Sequence, residues 1–311
     1  MAAREWAAVY LKGAAMGAAD AVPGVSGGTI ALITGIYERL VSAIAALDPG
    51  ETLALLPLVP KLGRADARDE LGTALTDMEV PFLLVLGVGV LTAVVTVANA
   101  VDVAYHEYPG VTFAFFFGLI AASVVVLFSE VSADTPGRVA AGVGGFAFAF
   151  VLSGQAQAGL LPGGLPVMFV AGAVAICAMV LPGVSGSLIL LTLGKYETMT
   201  GAVSDSVDAL FAGALGDAVE PLSTLVVFSA GALVGILTFA RVVKWALEHY
   251  RAATLTFLVA LMAGALRAPA IEIADATSAW TVASVTPLLA AGVVGAGAVL
   301  VLDATTDDLD Y

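Results

Sequence analysis

Ser26 and Ser185 stand in the same five-residue setting, Pro-Gly-Val-Ser-Gly, 159 positions apart. The first copy reads Pro23-Gly24-Val25-Ser26-Gly27-Gly28-Thr29, and the second reads Pro182-Gly183-Val184-Ser185-Gly186-Ser187. Together these residue types describe one chemistry. Proline stops an incoming helix, and glycine permits positive φ and close approach of a ligand to the backbone. Ser26, Thr29, Ser185 and Ser187 add hydroxyl donors, and Ser26 is placed to cap the helix that begins after it. A helix starting at such a loop presents free N–H groups, which favour an anion such as phosphate. Neither copy is a Walker phosphate loop, because no Gly-Lys-Ser/Thr follows at the required spacing. No HExxH or paired-Cys pattern appears, and no His or Lys lies near Ser26 or Ser185 in sequence to activate it. The chemistry is that of binding, and catalysis is disfavoured.

The repeat extends beyond the loop. From Pro23 to Glu38, ten of sixteen residues recur at the same displacement, ending in Gly35-Ile36-Tyr37-Glu38 and Gly194-Lys195-Tyr196-Glu197. For one copy, the plain alternative is a kink or a close small-residue helix contact. Paired Gly/Pro breaks at corresponding places of two halves point instead to the substrate site of a transporter.

The elements that hold these loops are apolar. The chain is 60% hydrophobic and 12% charged, and mean hydropathy is +1.00. A soluble domain carries about 25% charged residues, so the composition predicts an all-α polytopic membrane protein. Arg4 and Lys12 flank a first apolar stretch that runs into the motif with no cleavage site before it. The net charge of −14 sits in loops and tail, and lysine is scarce. Such a surface suggests a high-salt cytoplasm, as in haloarchaea, or simply a solvated acidic surface. It argues against nucleic-acid binding. Cys177 is alone, so no internal disulfide or Cys metal cluster is expected, and no cofactor is. His106 and His249 read as ordinary interfacial residues at helix ends.

Two halves follow. Residues 1–153 hold a broken helix pair (4–47), a polar cytoplasmic loop (48–80) and three spans (81–153). Residues 154–311 hold a broken pair (165–203), spans over 221–302 and an acidic tail (303–311). The arms after the motifs read as continuous, about Gly28 to Leu47 and Ser187 to Val203. Tyr108 to Leu119 aligns loosely with Tyr250 to Leu261. Lys61, Arg64 and Arg68, then Arg138, then Arg241, Lys244 and Arg251 place their loops inside, and the Lys/Arg-free loops fall outside. This predicts two inverted repeats, each a re-entrant or strongly bent pair followed by three transmembrane helices. Both termini are expected in the cytoplasm.

Ionisable groups within apolar segments are expensive and usually functional. Asp20 precedes the first motif, and its counterpart is Met179. It is a candidate for proton or sodium coupling, with local capping as the alternative. Glu38, Lys195 and Glu197 are further coupling candidates, with snorkelling or interfacial pairing as the alternative. Arg241 and Arg267 are candidate anion ligands or plain positive-inside anchors.

At these residues the chain resembles the PopT-type polyprenyl-phosphate translocases. The resemblance rests on Gly17 to Thr29 with Gly35-Ile36-Tyr37-Glu38, and on Leu181 to Ser187 with Leu193 to Glu197. Phe115 to Ile120 and Gly264-Ala265-Leu266-Arg267 add to it, the last with Ala where Ser is expected. It covers nearly the whole chain. It implies return of a polyprenyl phosphate carrier, undecaprenyl or dolichyl, across the cytoplasmic membrane, within membrane lipid. By carry-over Pro23 to Thr29 and Pro182 to Ser187 would hold the head group, with Arg241 and Arg267 as further contributors. The alternatives are a carrier of small anions and an intramembrane lipid phosphatase.

Overall fold

The computed structural model describes residues 3–20, 26–55, 57, 60, 63–154, 164–212, 214 and 216–307. Pro23, Gly24, Val25 and Lys61 lie outside them, as does the end of the acidic tail from residue 308. Among the described residues the regular elements are all helical: α1 (Ala3–Asp20), α2 (Gly27–Ile33), α3 (Tyr37–Ala46), α4 (Pro49–Leu55), α5 (Ala65–Asp77), α6 (Val80–Glu107), α7 (Pro109–Val126), α8 (Pro136–Leu152), α9 (Leu165–Val180), α10 (Gly186–Thr192), α11 (Tyr196–Phe211), α12 (Val219–Ala265), α13 (Arg267–Ala276) and α14 (Val282–Asp307). A proline sits in the first turn of α6, α7, α8 and α9, where its missing N–H has no helical acceptor anyway.

Three stretches are long and apolar enough to cross a membrane: Pro109–Glu130, Val219–Ala276 and Val282–Val301. The total reaches 5 if two bent pairs each count as one span. This is a multi-pass membrane protein. The polar loop expected over 48–80, within the first half, carries two helices of its own, α4 and α5.

Contrary to the sequence reading, the arms after the motifs are not continuous. Each is cut a second time. Helix α2 ends at Gly35 (φ 71) and α10 at Gly194 (φ 67), and α2 and α3 meet at 114°. The left-handed glycine closes the same pair of bonds at both places. Gly35 N–H donates to Leu32 O and Ile36 N–H to Ala31 O, while Gly194 N–H donates to Leu191 O and Lys195 N–H to Leu190 O. This Schellman geometry satisfies the last helical carbonyls and turns the chain.

Small residues set the main helix contacts. A side chain at Gly13 would collide with the carbonyl of Leu86, and one at Gly89 with that of Tyr10, so α1 lies backbone to backbone on α6. Gly172 meets Phe228 and Gly231 meets Phe169 in the same way, joining α9 to the first arm of α12. Gly172 stands as far beyond Gly13 as the second motif stands beyond the first, and so does Phe169 beyond Tyr10. Helix α7 packs on α14 through Gly118 and Gly295, and α8 packs on the second arm of α12 through Gly145 and Gly264. The kink between the arms of α12 falls at Tyr250 (φ −136, ψ 40), and the break between α6 and α7 falls at Tyr108 (φ −134, ψ 50).

Charges gather at one end of these helices. Arg39 pairs with Glu79 at 2.6 Å and lies over the Phe82 ring. Arg251 pairs with Glu38 at 2.9 Å and with Glu130 at 3.5 Å. Arg138 pairs with Asp134, whose carboxyl it holds below the usual carboxylate range.

Candidate functional site at the paired motif loops

The two motifs, far apart in sequence, touch. Ser26 is the N-cap residue of α2 in extended conformation, and its side chain makes no capping bond. Its hydroxyl instead donates to Leu181 O in the second motif at 3.3 Å. Thr29 Oγ1 accepts the N–H of Gly183 at 2.9 Å. Gly183 takes φ 82, and a Cβ there would press on the backbone of Met262 in α12, so glycine is required for both reasons. Ser185 is the N-cap residue of α10, and its hydroxyl shares a 2.7 Å hydrogen bond with Ser187. Ser26, Thr29 and Ser185 are all buried. Non-helical backbone at this depth needs such partners, because hydrocarbon offers none.

Asp20 closes the first motif. Its Oδ1 accepts the Gly27 N–H at 2.6 Å, and its carboxyl fills the space in which a Gly27 side chain would lie. In the second motif the same space, over Gly186, is filled by Met179. The two residues thus occupy one packing position with opposite chemistry. Only the first of them takes up a donor that an anion would otherwise meet.

The other candidates divide. Lys195 is 7% exposed, and no hydrogen bond or ion pair holds its ammonium among the described residues. Glu38 is tied to Arg251 at the charged end. Glu197 lines a cavity of about 810 Å³ together with Asp205, Asp208, Asp217 and Glu220. Arg241 is not brought to the motifs by any bond; it donates to Leu47 O and Leu237 O, each at 2.8 Å. Arg267 donates to Phe150 O at 2.7 Å and lies over the Phe150 ring. These two arginines serve backbone carbonyls.

Two residues were not singled out by sequence. Lys12 reaches from α1 and donates to Thr34 O, at the end of α2, at 2.7 Å. Its signal was a lysine inside an apolar helix, which the reading took for a flanking charge. Tyr37 is 1% exposed, and its hydroxyl lacks a partner among the described residues. An unmade bond of this kind costs about 1–3 kcal/mol.

The structure is thus a helical membrane protein in which two broken helices meet at buried loops. The family model described as undecaprenyl phosphate translocase-like matches residues 16–288, and the chain belongs to that family. It is 37% identical over 275 residues to a polyprenyl-phosphate transporter of Vibrio cholerae, covering 88% of this chain and 80% of the relative. It is 29% identical over 278 residues to a polyprenyl-phosphate transporter of Staphylococcus aureus, covering 82% of this chain and 83% of the relative. No solved structure matches.

Proposed function

We propose that this chain carries a polyprenyl phosphate across the membrane, with the head group held where the two motif loops meet. The observation that carries the reading is the junction itself: Ser26 bonded to Leu181 and Thr29 to Gly183. A phosphate there would exchange these internal partners for its own oxygens, so binding would loosen the junction that now closes the path. The family and its named relatives support the substrate class.

The runner-up is a carrier of small aqueous anions. Two observations favour the lipid. The cavity beside α11 is lined by five carboxylates and no Lys or Arg, a poor entrance for a free anion. Between α7, α13 and α14 runs a groove of about 480 Å³ whose walls, including Phe117, Trp280 and Leu288, are almost wholly apolar, and both α7 and α14 also touch the motif helix α2.

The mechanism follows from repetition. The equivalent contacts Gly13–Leu86 and Gly172–Phe228, and the matched breaks at Tyr108 and Tyr250, support two repeats over 1–153 and 154–311. Inverted repeats can exchange shapes and so open to either side in turn. The head group would cross while bound, and the tail would swing through lipid. The carrier is undecaprenyl or dolichyl phosphate, the latter if the acidic surface reflects an archaeal source. Coupling to protons or sodium through Asp20, Glu38, Lys195 or Glu197 would supply the driving gradient.

The test is leaflet movement of a short fluorescent polyprenyl phosphate in proteoliposomes. Wild-type protein should move it, and Ser26→Ala/Ser185→Ala should lose most of that movement. No movement by intact protein under imposed proton and sodium gradients would overturn the reading in favour of the small anion.

A further inference from the structure

A phosphate at membrane depth needs opposite charge near it, and Arg241 and Arg267 are committed to carbonyls elsewhere. The two lysines at the motif helices show a different pattern. In the first half, position 12 is lysine and position 36 is isoleucine; at the corresponding positions of the second half, 171 is alanine and 195 is lysine. Lys12 places its ammonium at the C-terminal end of α2. Lys195 follows the C-terminal end of α10 directly, after the left-handed Gly194. Each half therefore has one lysine at the C-terminal end of its motif helix, from a different parent position. The charge is kept while the residue that carries it changes.

Capping accounts for part of this. Lys12 does cap α2, as a cation at a helix C-terminus should. Lys195 makes no such bond. It occupies a slot in which Ile36 of the first half is equally buried, each 7% exposed, so the slot itself calls for an apolar residue. A lysine there buries its methylene stem and leaves its ammonium uncommitted to any carbonyl or carboxylate of the described residues.

We propose that Lys195 is a ligand of the anionic head group in the second half, with Lys12 supplying the corresponding charge in the first, so that the phosphate meets one lysine on each side of the motif junction. This rests on the polyprenyl-phosphate reading and names the charge partners within it. A head group leaving Ser26 and Ser185 toward either surface would pass a lysine at the far end of a motif helix. The aqueous cavity nearby carries only carboxylates, so Lys195 is the cation a lipid head group would find on that side.

The experiment is transport in proteoliposomes with Lys195→Ile, the residue the equivalent slot already holds, beside Lys195→Arg. Lys195→Ile should fold with an unchanged thermal midpoint and raise the half-saturating polyprenyl phosphate concentration about tenfold or more. Lys195→Arg should stay near wild type. Half-saturation equal to wild type in Lys195→Ile would overturn the assignment, whether or not its thermal midpoint moves. Should Lys195→Ile not fold, Lys195→Met gives the same reading with an unbranched chain. If wild-type protein moves no lipid, the parent reading falls, and inorganic phosphate titration decides Lys195 separately. A thermal shift in wild type that is absent from Lys195→Met supports an anion ligand, and equal shifts overturn it.

Discussion

Asp20 and Met179 show how one position can be used twice. Each covers a motif glycine at the start of a short helix, Gly27 or Gly186. Methionine fills the space by volume, whereas aspartate also accepts the Gly27 N–H at 2.6 Å. Asp20→Ala removes that cap and should lower stability by about 1 kcal/mol, read as a drop in thermal midpoint in detergent. Asp20→Asn keeps an oxygen for Gly27 and removes the ionisable proton, so it separates capping from coupling. If Asp20 carries the coupling ion, Asp20→Asn should fold normally yet lose the dependence of transport on pH or sodium. Full transport with an unchanged ion dependence would end that role for Asp20. Ser26 and Thr29 were legible in sequence as hydroxyls at a helix start. That they would bond to the other motif was not, because no local pattern encodes which distant carbonyl or N–H faces a side chain.

At the scale of elements, glycine decides which helices pair. A valine at Gly13 would drive α1 off α6, and a valine at Gly172 would drive α9 off α12. Each should destabilise by about 1–3 kcal/mol, and because the contacts correspond, the two losses should be alike. Gly87 lies on α6 with open space around it and serves as the control, since Gly87→Val should leave the thermal midpoint in detergent unchanged. A neutral Gly172→Val would break the equivalence. The sequence reading bounded the spans of the first half at 81–153 and began the second broken pair at 165, close to the observed start of α6 (Val80), end of α8 (Leu152) and start of α9 (Leu165). It missed the second cut at Gly35 and Gly194, although both lie in its own repeat. The flanking residues there are apolar enough to hide a turn, and only the left-handed glycine betrays it. It also missed the lysine exchange, because Lys12 and Lys195 are not at corresponding positions.

For the whole molecule, the distribution of charge bears on orientation. Arg39 on α3, Arg138 on α8 and Arg251 on α12 lie in ion pairs with Glu79, Asp134 and Glu38, and Arg138 and Arg251 are among the positive residues that the sequence reading put on the inner side. The proposed inverted arrangement would place Asp66 on the inner side and Asp208 on the other. Cysteines introduced at 66 and at 208, after Cys177 is replaced, should react with an impermeant maleimide from opposite faces of the membrane. Labelling of both from one face would remove the inversion and, with it, the exchange of shapes proposed for transport. Fold class was readable from composition alone; the way the halves interlock was not, because it depends on which glycine meets which carbonyl between helices remote in sequence.

That interlocking bears on how the chain is made. Helix α7 rests its Gly118 face on α14, and α8 rests its Gly145 face on the second arm of α12. Synthesis runs from residue 1 upward, so α7 and α8 are made long before either partner exists. These early helices are made with their narrow faces uncovered, and α7 gains its partner only once α14 has been made. The first half is therefore completed by helices of the second, α8 by α12 and α7 by α14.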